Sequence, residues 1–66
     1  MRTIDYTYLC SYTGRIYKCR TYNVSTWADE PYPPGGMLRV MRNSYGQIVA
    51  GPMVSELISW NEGGMK

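Results

Sequence analysis

Ile4, Tyr6, Tyr8, Cys10 and Tyr12 occupy every second position near the start of the chain, alternating with Thr3, Asp5, Thr7, Leu9 and Ser11. Successive side chains of a strand point to opposite faces, so this alternation, rich in Tyr and Thr, predicts a half-buried strand. A second run, residues 16–24, is similarly rich in β-formers, and Thr13-Gly14-Arg15 lies between the two. Together they predict a hairpin over residues 2–24.

The turn residues suggest a register. With Gly14-Arg15 as a two-residue loop, Gly takes the first central position that a type II′ turn requires. Tyr12 then faces Tyr17, Ser11 faces Lys18, Leu9 faces Arg20, and Cys10 faces Cys19, with both the Tyr and the Cys pair at sites where cross-strand side chains approach closely. A bulged Thr13-Gly14 loop would offset the cysteines. The first register is preferred because it aligns them.

Residues 25–36 contain three of the four prolines and the pair Gly35-Gly36, and no periodicity survives there. They are expected to form a Pro/Gly loop, long enough in so small a chain to suggest a function. Residues 37–50 predict a second hairpin, with the turn at Asn43-Ser44-Tyr45-Gly46. Gly51-Pro52 ends it. The C-terminal segment, 52–62, fits a short helix, with Pro52 at its start and Val54, Leu57 and Ile58 at helical spacing. Val54 to Trp60 would also serve as a strand. The expected fold is therefore α+β or all-β, one small antiparallel domain over 1–66 made of two hairpins and a short C-terminal helix. Leu38, Val40, Ile48, Leu57, Ile58 and Trp60 are expected to complete its core beneath the Tyr and Cys face of the first hairpin, and Met37 and Met41 to fill gaps.

A chain of sixty-six residues buries only about 60% of the surface it exposes when unfolded, so its core is thin. Seven Tyr and two Trp with no Phe suit a thin core, because a ring can lie on protein while its hydroxyl stays in water. Such residues are also enriched where proteins meet partners. No apolar run is long enough to cross a bilayer and the N-terminus lacks the apolar stretch of a signal peptide, so a cytoplasmic protein is expected.

Catalysis finds no support. The chain has no His, the commonest general base and a common zinc ligand. Its carboxylates are scattered as Asp5, Asp29, Glu30, Glu56 and Glu62, and no phosphate-binding or nucleophile motif occurs. No enzyme activity, cofactor or metal site is expected. Cys10 and Cys19 fit free thiols, a cross-strand disulfide that would add about 2–3 kcal/mol in the chain-entropy model, or half of a shared metal site.

By elimination, the expected function is a small protein-binding regulator or inhibitor. Proteins of this size are common among phage and mobile-element genes, where they act on a host protein. The expected contact residues are Trp27, Asp29, Glu30 and Tyr32 in the Pro/Gly loop. The alternative is a nucleic-acid or nucleotide-binding module using Lys18, Arg20, Tyr22, Arg39 and Arg42, although the net charge of +2 is a mild bias. A third reading is a structural subunit whose free strand edges add to a neighbour's sheet.

Overall fold

A computed structural model of the protein describes residues 2–62. The chain is all-β, built from two three-stranded antiparallel sheets. In the first, β1 (Arg2–Cys10) is central, between β2 (Arg15–Val24) and β6 (Leu57–Asn61). The second orders β3 (Thr26–Tyr32), β4 (Gly36–Arg42) and β5 (Ile48–Ala50), with β4 central. Only Ser25 separates β2 from β3, and its N–H donates to the Arg42 carbonyl at 2.8 Å. One nearly continuous strand thus carries the chain from the first sheet to the second. Among the described residues no helix is long and apolar enough to cross a membrane.

The first hairpin forms where the alternation places it, but its register differs from the expected one. Tyr6 faces Cys19, Thr7 faces Lys18, Asp5 faces Arg20, Tyr8 faces Tyr17, and Cys10 faces Arg15. The turn is longer than two residues: Gly14, at φ +77°, donates its N–H to the Cys10 carbonyl at 2.6 Å and closes Ser11-Tyr12-Thr13-Gly14. Three contacts favour this register over the cysteine-aligned one. Arg20 meets the Asp5 carboxylate through two hydrogen bonds at 2.7 and 3.1 Å. The Tyr8 and Tyr17 rings approach to 5.6 Å, and Leu9 pairs with Ile16. A bulge near the end of β2 places Asn23 at φ 62°, a conformation that Asn tolerates better than most residues.

The expected Pro/Gly loop at 25–36 is instead mostly strand. β3 pairs with β4 along its whole length, from Thr26 opposite Arg42 to Tyr32 opposite Gly36. Proline is compatible with this because β3 is an edge strand, where an N–H pointing away from the ladder is dispensable. Only Pro33-Pro34-Gly35 remains as the turn, and the Pro33–Pro34 peptide is cis. The second hairpin turns where expected. The Asn43 side-chain oxygen accepts the N–H groups of Tyr45 and Gln47 at 2.9 and 3.0 Å, and Gly46 supplies the positive φ of 81° that ends the turn.

The expected C-terminal helix is a single 3-10 turn, Val54–Glu56, followed by β6. A strand wins here because β1 would otherwise leave the backbone groups of its second edge without partners. The core also departs from expectation. Ile4, Val24 and Met41 are fully buried, with Tyr6 and Val40 nearly so. Trp27, Leu57 and Trp60 pack against the cluster of Ile4, Tyr6, Val24 and Met41, which does not include Val40. Val40, Leu57 and Trp60 therefore hold their expected places, and Met41 fills the centre. Leu38 is half-buried, whereas Ile48 and Ile58 are 61% and 56% exposed. Ile48 lies on the short edge strand β5, and Ile58 lies at the bulge where β6 shifts against β1.

Candidate functional site

The side chains expected to contact a partner all fall on β3, where the second sheet meets the end of β6. Trp27 packs edge-on against Trp60, with ring centroids 5.2 Å apart. Trp60 in turn stacks on Tyr6 at 6.0 Å. The Arg39 guanidinium lies over both indoles, 4.6 Å from the Trp27 ring and 4.7 Å from the Trp60 ring. Its position is fixed by Asp29, directly opposite on β3, whose carboxylate accepts two hydrogen bonds at 2.8 and 3.1 Å. That fork lowers the Asp29 pKa below its ordinary value. A planar guanidinium is suited to stacking and bidentate bonding at once.

Glu30 accepts a hydrogen bond from Arg42 at 2.8 Å. Asp29 and Glu30, expected to face a partner, are thus tied to Arg39 and Arg42, two members of the expected nucleic-acid face. Arg20, a third member, is tied to Asp5, whose pKa the Arg20 hydrogen bonds lower. Of the two expected sets, Trp27, Tyr32, Lys18 and Tyr22 take part in no ion pair among the described residues, Tyr22 and Tyr32 being 60% and 51% exposed. Lys18 and Arg20 share the outer face of the first sheet with Asp5 and Thr7, around a shallow depression of about 350 Å3.

Glu62 had no role in the sequence reading. Its carboxylate accepts Trp27 Nε1–H at 2.9 Å, Trp60 Nε1–H at 3.4 Å and an Arg2 Nη1–H at 2.7 Å. These donors, Trp27 first, hold its pKa below the ordinary glutamate value. Arg2 also reaches the Ser25 carbonyl at 3.0 Å. The start of β1, the crossing between sheets and the end of β6 are therefore pinned at one carboxylate. No local motif marks such a residue; it becomes visible only when the two sheets are assembled.

On the other side of the Tyr6 ring, Tyr8 continues the aromatic row at 6.2 Å, and Tyr17 follows. Burial, with Cys19 close by, pushes the Tyr6 hydroxyl pKa up to about 12. Both cysteines are free thiols. Cys19 faces Tyr6 rather than Cys10, so the two lie four positions apart along the ladder, about 13 Å, beyond the ~7 Å Cα limit for a disulfide. The cysteine-aligned bridge therefore does not form. Cys10 heads the 11–14 turn, where the Thr13 hydroxyl and the Thr13 and Tyr12 backbone groups lower its thiol pKa. Among the described residues no three Cys, Asp or Glu side chains gather as a metal site.

No protein-family model, curated protein or solved structure matches the chain.

Proposed function

We propose that this protein is a small non-enzymatic binding module that acts on another protein as a regulator or inhibitor, with the cytoplasm as its place of action. One observation carries the reading: the arginines that would serve a nucleic-acid face are occupied by carboxylates, while large apolar and aromatic side chains remain in solvent. Arg20, Arg39 and Arg42 hold Asp5, Asp29 and Glu30. Tyr12, Ile16, Tyr22, Tyr45 and Ile58 are each more than half exposed. Phosphate recognition would have to break those ion pairs, whereas aromatic and aliphatic contact needs no such exchange. Of the β3 set, Tyr32 is the member that still offers an exposed ring.

The test is a tagged pull-down from native lysate, with and without nuclease, read by mass spectrometry. One stoichiometric protein that survives nuclease and moderate salt is the expected result. Recovery that vanishes with nuclease, or falls steeply as salt rises, would assign the site to Lys18, Arg20 and Tyr22 and overturn the protein-binding reading.

A further inference from the structure

Between the tyrosine row and the segment leading into the 3-10 turn runs an open groove of about 350 Å3, lined by Tyr6, Tyr8, Pro52, Met53 and Glu56 among others. Tyr6 and Tyr8 give it an aromatic lining and Pro52 an apolar one, with Met53, whose thioether end lies over Gly36, also lining it. A helix about 10 Å across does not fit so small a trough, but a few side chains of an extended segment do.

Charge distinguishes this groove from the rest of the surface. Asp5, Asp29, Glu30 and Glu62 each pair with an arginine. Glu56 is the remaining carboxylate and has no cation among the described residues. Ser11 steadies it instead, donating its hydroxyl to Oε2 at 2.7 Å, with the Ser11 N–H at 3.4 Å. A carboxylate held in place by a neutral donor, at the rim of an aromatic trough, complements a cation and repels phosphate.

We propose that this groove binds an extended segment of the partner protein, with an apolar side chain lying on Tyr8 between Pro52 and Met53 and a neighbouring Lys or Arg reaching Glu56. The inference rests on the protein-binding reading above and names its surface. The recognition is a charge-assisted hydrogen bond flanked by aromatic packing, so neither part alone suffices.

The experiment selects from a displayed library of random short peptides on the intact protein, then maps the best peptide by amide chemical-shift perturbation. Enriched peptides are expected to carry Lys or Arg next to an apolar residue and to shift Tyr8, Met53 and Glu56. Glu56→Gln, which keeps an oxygen for Ser11, should weaken them about tenfold, and Tyr8→Ala should abolish them. Peptides without a basic residue, a footprint elsewhere, or unchanged affinity in Glu56→Gln would overturn the groove while leaving the protein-binding reading intact. If no peptide is enriched and a single-stranded oligonucleotide binds instead, both fall; if neither binds, the groove assignment falls and the pull-down decides the other.

Discussion

The carboxylate of Glu62 accepts the indole N–H of Trp27 at 2.9 Å, joining residues thirty-five positions apart in sequence. The same carboxylate holds Arg2, so a single side chain fastens the start of β1 and the end of β6, adjacent at one end of the first sheet, to the start of the second. Removing it leaves the Trp27 donor without its acceptor and the Arg2 guanidinium with the Ser25 carbonyl alone. Glu62→Ala should therefore cost about 1–2 kcal/mol, a fall of about 4–15 °C in Tm for a domain this small. Glu62→Gln, which retains an acceptor, should cost less. Thermal melts followed by tryptophan fluorescence separate the two variants, and equal, negligible losses would show that the ends are held another way.

The charge network sets the acid limit of stability. Asp5, Asp29 and Glu62 have folded pKa values below their ordinary 3.8, 3.8 and 4.5. A carboxylate with a lowered folded pKa contributes stability that is present above its unfolded value and lost as pH falls through the folded one. Tyr6 acts in the opposite range: its pKa rises from 10.0 to about 12 in the fold, so stability declines as pH climbs above 10. Urea midpoints measured across pH should be level around neutrality and fall on both flanks, the acid flank more gently in high salt. Tyr6→Phe should flatten the alkaline flank.

The core separates two sets of apolar residues that look alike in sequence. Met41→Ala should destabilise by about 2–5 kcal/mol and Ile4→Val by about 0.5–1.5 kcal/mol, because both sites are closed to solvent. Ile48→Ala and Ile58→Ala, at sites more than half exposed, should stay within about 0.5 kcal/mol. Denaturant titrations give the comparison directly. A large loss at Ile58 would indicate that β6 packs differently from the arrangement described.

The turn at 43–46 and the alternation of Ile4, Tyr6 and Tyr8 on β1 were legible because each rests on a local rule, strand alternation or the turn chemistry of Gly and Asn. The first hairpin was legible as a hairpin but not in its four-residue turn or its register. β3 was not, since its prolines and acidic pair resemble a loop until β4 lies beside it. Charge offered a signal that periodicity did not. Asp29 and Arg39 stand at mirrored positions about the Pro33-Pro34-Gly35 turn, and Asp5 and Arg20 are mirrored about the 11–14 turn. Reading opposite charges as cross-strand partners would have found β3 and corrected the register of the first hairpin. The two cysteines, by contrast, aligned only by coincidence with a tighter turn. Glu62 and the groove at Glu56 depend on contacts between distant segments, and no spacing along the chain encodes them.

The corrected register gives the thiols a distinct chemistry. After mild oxidation the monomer should retain two titratable thiols, since Cys10 and Cys19 are separated along the ladder. A Cys10–Cys19 cross-link found by peptide mapping would restore the two-residue turn. Cys10 should alkylate with a midpoint below the ordinary thiol value of 9.0, owing first to the Thr13 hydroxyl. Thr13→Val should move that midpoint upward and slow the reaction at neutral pH, because less thiolate is present.

Arg39 tests whether the two indoles are a folding element or a surface left for a partner. Its side chain is only 19% exposed, lies over Trp27 and Trp60, and forks onto Asp29. Lys preserves the charge but offers neither the plane nor the fork. If the cluster is structural, Arg39→Lys and Arg39→Ala should both lower stability by about 1–3 kcal/mol and shift the tryptophan emission to the red as water reaches the rings. Binding of the partner should then weaken only as far as the folded fraction falls. A loss of binding in Arg39→Lys with the melting temperature unchanged would instead place the arginine in the interface, and the contact surface would move from the Glu56 groove to the β3 end of the second sheet.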